Sequence, residues 1–152
     1  MLVPITSSQL LRASQQFKRY YERQFSTLMA RETLTMREIR VLLFLANNPD
    51  HDTARDVAEL RGMPKSQVSA AVDLLVQRGF LWRLPDQEDR RVVHLAITET
   101  GVTLGREARE IQTACWKDLL TPLTTAEAAK FKFLLEKVLD GMDRRTREGA
   151  GT

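Results

Sequence analysis

Pro64-Lys-Ser-Gln-Val68-Ser-Ala-Ala-Val72-Asp-Leu-Leu75-Val-Gln-Arg-Gly79, running straight into Phe80-Leu-Trp-Arg-Leu84-Pro85-Asp86-Gln-Glu-Asp89-Arg90-Arg91-Val-Val-His94-Leu95-Ala-Ile97-Thr98, decides the fold. In the first half Val68, Ala71, Val72 and Leu75 fall at i, i+3, i+4 and i+7, the stripe of a helix with one buried face. Pro64 suits the first turn, where its missing N–H costs nothing, and Gly79 ends the helix. The period then changes. Phe80–Leu84 is short, apolar and aromatic, Pro85–Asp89 is rich in turn residues, and Val93, Leu95 and Ile97 alternate with Val92, His94 and Ala96. Two strands with a charged loop between them make a hairpin that projects from the helix.

Upstream, Thr53 caps a short helix with Asp56 at its third position and Val57 inward, and Gly62 stops it just before Pro64. Thr35-Met-Arg-Glu38 is a capping box that opens another helix, with Leu34 and Ile39 as its hydrophobic staple and Ile39, Leu42, Leu43 and Ala46 as its stripe. A first helix begins after Thr6-Ser7-Ser8 and carries Leu10, Ala13, Phe17, Tyr20, Tyr21 and Leu28. Downstream, Thr98 caps a fifth helix with the seam Leu104, Ala108, Ile111, Cys115 and Leu119. A second full capping box, Thr124-Thr-Ala-Glu127, opens a sixth helix bearing Phe131, Leu134, Leu135, Val138, Leu139 and Met142. The expected architecture is mainly α with a small β-hairpin wing: a winged helix-turn-helix flanked by N- and C-terminal helices.

The chain has 152 residues, 43% hydrophobic and 28% charged, the balance of a soluble globular protein. Its longest apolar run, Val41–Ala46, is too short to cross a bilayer, and the opening Met-Leu-Val-Pro-Ile-Thr has no basic segment of a secretory signal, so no membrane partner is expected. One cysteine forms no internal disulfide and two histidines give little for a metal cage, so the expected location is cytoplasmic. The formal net charge is +3, with the excess concentrated in residues 1–40, so electrostatics alone does not name the partner. No phosphate loop, zinc-protease motif or nucleophile elbow is present, so neither an enzyme nor a cofactor is expected. Asp50-His51-Asp52 beside Pro49 reads as an exposed loop, and His94 as a strand residue that packs or hydrogen-bonds in the sheet. Residues 144–152 read as a charged helix end and tail.

The outward face of this helix offers Lys65, Ser66, Gln67, Ser69 and Ala70, then Asp73 and Gln77, small or polar groups that suit base edges in a major groove, although any solvated helix face looks similar. Asp89-Arg90-Arg91 sits where a wing meets the adjacent minor groove, whose negative potential draws in an arginine. Asp89 is placed to hold Arg91 in one rotamer; the alternative is a solvated turn with an incidental ion pair. Thr35, Arg37, Thr53 and Arg55 lie near helix starts, where backbone N–H groups favour phosphate, and Arg90 lies near the backbone as well.

These fragments together resemble the MarR family of transcriptional regulators. The resemblance is carried by Leu34-Thr35, Val68-Ser69, Val72-Asp73, Leu75, Gly79-Phe80-Leu81 and Arg83. The wing Asp86-Gln-Glu-Asp89-Arg90-Arg91, then Leu95-Ala-Ile-Thr98 and Gly101, completes it. The resemblance implies a homodimer in which the first, fifth and sixth helices pack around a two-fold axis, and a repressor that binds palindromic double-stranded DNA. It divides the chain into residues 1–33 (N-terminal dimerisation helix), 34–98 (DNA-binding domain), 99–148 (C-terminal dimerisation helices) and a tail, 149–152. It also implies release by a small, often aromatic or phenolic, effector, with Arg19, Tyr20, Arg23, Arg40 and Trp82 as candidate contacts; the plainer reading has the aromatics filling core. Many relatives carry arginine where this chain has Ala70 and Leu74, which shifts the expected base readout to Lys65, Gln67, Ser69 and the wing. A winged-helix module that binds protein instead of DNA is the competing reading. Cys115 lies on an apolar seam and reads as a small hydrophobe rather than an oxidant sensor, with pairing across a dimer axis left open.

Overall fold

The computed structural model describes residues 5–149, so the reading of residues 1–4 and the end of the expected tail lie outside it. The described order is α1 (Ser7–Gln24), α2 (Ser26–Glu32), α3 (Met36–Asn47), α4 (Ala54–Arg61), α5 (Lys65–Gln77), β1 (Leu81–Pro85), β2 (Val93–Ile97), α6 (Glu99–Leu119) and α7 (Thr125–Gly149). The chain divides into two compact units, Met1–Thr113 and Ala114–Thr152. No helix among the described residues is long and apolar enough to cross a membrane.

The helix starts follow the local chemistry of the sequence. Thr35 N–H donates to the Glu38 carboxylate at 2.7 Å, Thr53 Oγ1 accepts from Asp56 N–H at 3.1 Å, and Thr124 Oγ1 accepts from Glu127 N–H at 3.2 Å. Glu38 is wholly buried, yet its carboxylate stays ionised below its ordinary range: burial opposes this, but the Thr35 hydroxyl and N–H and the Arg37 guanidinium outweigh it. Gly62 and Gly79 take left-handed φ of 67° and 76° at the ends of α4 and α5. Pro64 precedes α5 as its N-cap, one position ahead of the expected first turn.

The expected first helix is in fact two. Phe25 leaves helical geometry at φ −90°, ψ 0°, and its N–H bonds back only three residues, to Glu22 O at 3.1 Å. No proline or glycine marks the break. Phe25 is fully buried, with its ring centroid 5.1 Å from that of Tyr21 in a tilted arrangement, and Leu28 belongs to α2.

The core of the first unit gathers around α3 and α5. Val68, Ala71, Val72 and Leu75 are 3% exposed or less, and they share one cluster with Ile39, Leu42, Val57, Phe80, Leu81, Leu95 and Leu104. α3 is buried beyond its expected stripe, because Val41, Phe44 and Leu45 also face inward. β1 and β2 pair antiparallel from Leu81 opposite Ile97 to Pro85 opposite Val93. Residues 52–53 add a short bridge along β2: Thr53 pairs with His94, and Leu95 N–H donates to Asp52 O at 2.7 Å.

The base of the hairpin closes at one point. Thr98 Oγ1 donates to Gly79 O at 2.6 Å, Thr98 N–H donates to Phe80 O at 3.1 Å, and Thr98 Oγ1 also accepts the Gly101 N–H at 3.0 Å. A Cβ on Gly101 would lie 2.2 Å from Phe80 O and 2.7 Å from Ile97 Cγ2, so only glycine lets α6 begin here. We expect Gly101→Ala to destabilise the fold by about 1–3 kcal/mol in urea titration, the cost of overpacking a closed contact; an unchanged midpoint would show that the first turn of α6 shifts freely.

Candidate nucleic-acid interface

The outward side of α5 follows from its buried one. With Val68, Ala71, Val72 and Leu75 inward, Lys65, Ser66, Gln67, Ser69 and Ala70 are all exposed on the opposite face. Asp73, further along α5, pairs with Arg83 of β1, so the helix and the wing strand are joined by an ion pair.

The wing loop is ordered by its own carboxylates. Asp86 Oδ2 accepts from the N–H of Glu88 at 3.0 Å and of Asp89 at 2.9 Å, and Asp86 N–H donates to Val92 O at 2.9 Å. The Asp89 and His94 contacts, with the Glu88 N–H, hold the Asp86 carboxyl down at about 2. Asp89 Oδ1 accepts both the backbone N–H of Arg91, at 3.0 Å, and its Nε–H, at 3.2 Å. Arg91 is still 92% exposed as a side chain, so Asp89 orients it without burying it. Arg90 is exposed beside it.

The helix-start candidates are already engaged. Thr35 and Thr53 cap α3 and α4, while Arg37 pairs with Glu38 at 3.0 Å and Arg55 with Glu59 at 2.9 Å. Among the candidate effector contacts, Arg19, Tyr20 and Arg23 lie on α1, and Arg40 of α3 pairs with Glu22 of α1. Glu22 lines an open depression of about 640 Å³ with Met29, Thr33, Leu34, Thr35 and Met36, but none of the five candidates does. Trp82 is 58% exposed on β1, next to buried Leu81, which corrects the reading that the tryptophan fills core.

Two features escaped the sequence reading. Asp52, assigned to an exposed loop, is half-buried, with its Oδ1 2.8 Å from His94 Nδ1, and Asp86 Oδ1 lies 2.8 Å from His94 Nε2. Arg31 of α2 forms a bidentate pair with Glu107 of α6 at 2.7 and 2.6 Å. Both join residues far apart in the chain, which no local pattern signals. Cys115 is 2% exposed and burial pushes its thiol up, which is the behaviour of a small hydrophobe. Among the described residues no cluster of His, Cys, Asp and Glu has the geometry of a metal site.

Residues 32–92 match the sequence profile of the MarR family. The transcriptional repressor MprA of Escherichia coli K12 is 30% identical over 88 residues, 58% of this chain, and the match spans half the length of that relative. The regulator PecS of Dickeya dadantii, of the helix-turn-helix type, is 25% identical over 119 residues, 77% of this chain and 72% of PecS. In fold, the chain is similar to Staphylococcus aureus MepR crystallised with DNA, with a TM-score of 0.73 and 22% identity over 91% of this chain and 99% of that one.

The Asp86 turn makes a prediction that needs no ligand. Its carboxylate is held below the ordinary carboxylate value, so its contribution to the wing is complete above about pH 4 and is lost as pH falls through about 2. Asp86→Ala should speed amide exchange at Glu88 and Asp89 at neutral pH while leaving the amides of α5 unchanged. Equal exchange at all of these would mean that the backbone alone holds the turn.

Proposed function

We propose that the protein is a dimeric DNA-binding transcriptional regulator of the repressor type and of the MarR family, whose profile residues 32–92 match. The observation that carries the reading is the pairing of an exposed polar row on α5 with a carboxylate-oriented, solvent-facing Arg91 at the tip of the adjoining wing. A DNA complex of the similarly folded MepR supports it.

In this reading α5 enters the major groove with Lys65, Ser66, Gln67 and Ser69 at base edges, Gln67 being suited to paired bonds with adenine. Arg91 enters the neighbouring minor groove in the rotamer set by Asp89, and Arg90 meets the backbone. Thr35, Arg37, Thr53 and Arg55 approach phosphates at helix starts. Two copies present two half-sites of a palindrome. The C-terminal unit supports dimerisation: Phe133, Leu134, Val138 and Met142 of α7 are each about half exposed or more, a stripe too apolar for a helix that stays in water. Residues 99–148 then form the C-terminal dimerisation helices and 1–33 the N-terminal part, with 34–98 reading DNA. A small aromatic or phenolic effector that prefers a dimer with mismatched half-site spacing releases the DNA. Arg19, Tyr20, Arg23 and Arg40 are the contacts proposed for it, with exposed Trp82 a separate site of approach. The function is binding, without catalysis.

The competing reading, a winged-helix module that binds protein, draws on the exposure of Trp82 and Leu84, 58% and 49%, on β1. Salt separates the two, since a duplex complex weakens steeply with salt through counterion release and an apolar protein interface does not.

Selection from random duplex DNA should return an inverted repeat with half-sites about one helical turn apart. On that duplex Arg91→Ala should cost about 1–3 kcal/mol of binding with folding unchanged. Failure of a folded, dimeric protein to enrich any sequence favours the protein-binding module; enrichment with undiminished affinity of the variant removes the wing from the reading.

A further inference from the structure

His94 engages both of its ring nitrogens, Nδ1 with Asp52 on the loop before α4 and Nε2 with Asp86 at the start of the wing loop, each at 2.8 Å. Two carboxylates on opposite sides of one ring need two donors, and only the protonated imidazolium has two. The neutral ring has a single N–H, so one contact then sets a nitrogen lone pair against a carboxylate oxygen. The two acids lie on different nitrogens, which excludes one shared metal ion and leaves a charge clamp.

The clamp is the root of a continuous chain of hydrogen bonds. Asp86 carries the ring on Oδ1 and the N–H groups of Glu88 and Asp89 on Oδ2; Asp89 in turn carries the backbone N–H and Nε–H of Arg91. We infer that protonated His94 is a positioning residue, fastening the wing turn to the loop before α4 and so setting where Arg91 is presented. The consequence for DNA rests on the function proposed above; the clamp itself does not.

The charged groups facing the ring are Asp52 and Asp86. Of the other charges on the neighbouring elements, Asp50, Arg61, Glu88 and Arg90 are exposed, and others have partners of their own. On α3, Arg37 pairs with Glu38 and Arg40 with Glu22; around α4, His51 lies 3.9 Å from Asp56 and Arg55 pairs with Glu59; on β1, Arg83 pairs with Asp73. Asp52 first and Asp86 second raise the His94 pKa above its ordinary value. A raised histidine pKa means that the clamp is complete below about pH 6.5 and is lost as pH rises through the folded value.

The first measurement is NMR of the ring and of the amides of residues 86–92, excluding any reliance on DNA. The ring should titrate above about 6.5, with both nitrogens protonated in the acid form, and the amides of Glu88, Asp89 and Arg91 should follow with the same midpoint. A ring that titrates at or below that value, or wing amides that ignore it, overturns the clamp. The second measurement is affinity for the selected duplex from pH 6 to 9. Wild type should lose affinity across that range in a step whose midpoint is that of the ring titration, and His94→Asn should show no such step. His94→Arg, charged throughout, should flatten the profile. Parallel profiles for wild type and His94→Asn overturn the positioning role even where the ring titrates as expected. If no duplex is bound at any pH, the DNA-binding reading falls with its wing geometry, and the ring and amide titrations still decide the clamp.

Discussion

The winged helix depends on the contact in which Thr98 meets the turn after α5. Its hydroxyl donates to Gly79 O, its N–H donates to Phe80 O, and Gly101 leaves the space that lets α6 start against the same backbone. The chain thus returns from the hairpin to the point where it left the helix. Both ends of the wing are fixed by that closure, and Phe80, Leu81 and Leu95 enter the core next to Val72 and Leu75 as one body. Buried backbone carbonyls at such a point need donors, and a threonine with one hydroxyl and one N–H supplies two.

What was legible in the sequence is what short-range chemistry determines. Thr35 with Glu38, Thr53 with Asp56 and Thr124 with Glu127 lie three residues apart and define their helix starts without help from the rest of the chain. The stripe Val68–Leu75 fixed which side of α5 is free, and so which residues stand at the candidate interface. The break at Phe25 was hidden because no proline, glycine or capping residue marks it; the buried ring there reads as one more position of a helical stripe. Trp82 was misread for a different reason: in a two-stranded sheet one face has nothing to cover it, whatever its residues.

The contacts that join separate elements were the least legible. His94 is 42 residues from Asp52, Arg31 is 76 from Glu107, and Arg83 meets Asp73 across a turn and a change of secondary structure. In each case neither residue signals its partner until the fold brings the two together. Periodicity reports which face is buried but is silent on which charges meet at the edges of that face.

Most arginines of the candidate interface already have an anion. Arg37 has Glu38, Arg55 has Glu59, Arg83 has Asp73 and Arg91 has Asp89. A phosphate reached by Arg37, Arg55 or Arg83 is an exchange of one negative partner for another, so each such contact yields less than a free cation would. In the proposed function the penalty at phosphates applies equally on every sequence, whereas the base-edge contacts proposed for Lys65, Gln67 and Ser69 form only on a matching one. Self-neutralised arginines therefore lower the floor of sequence-independent attraction while leaving the discriminating terms untouched. For the DNA-binding role proposed above, the consequence is that against a large excess of competing duplex such a protein spends little of its time stalled on the wrong DNA.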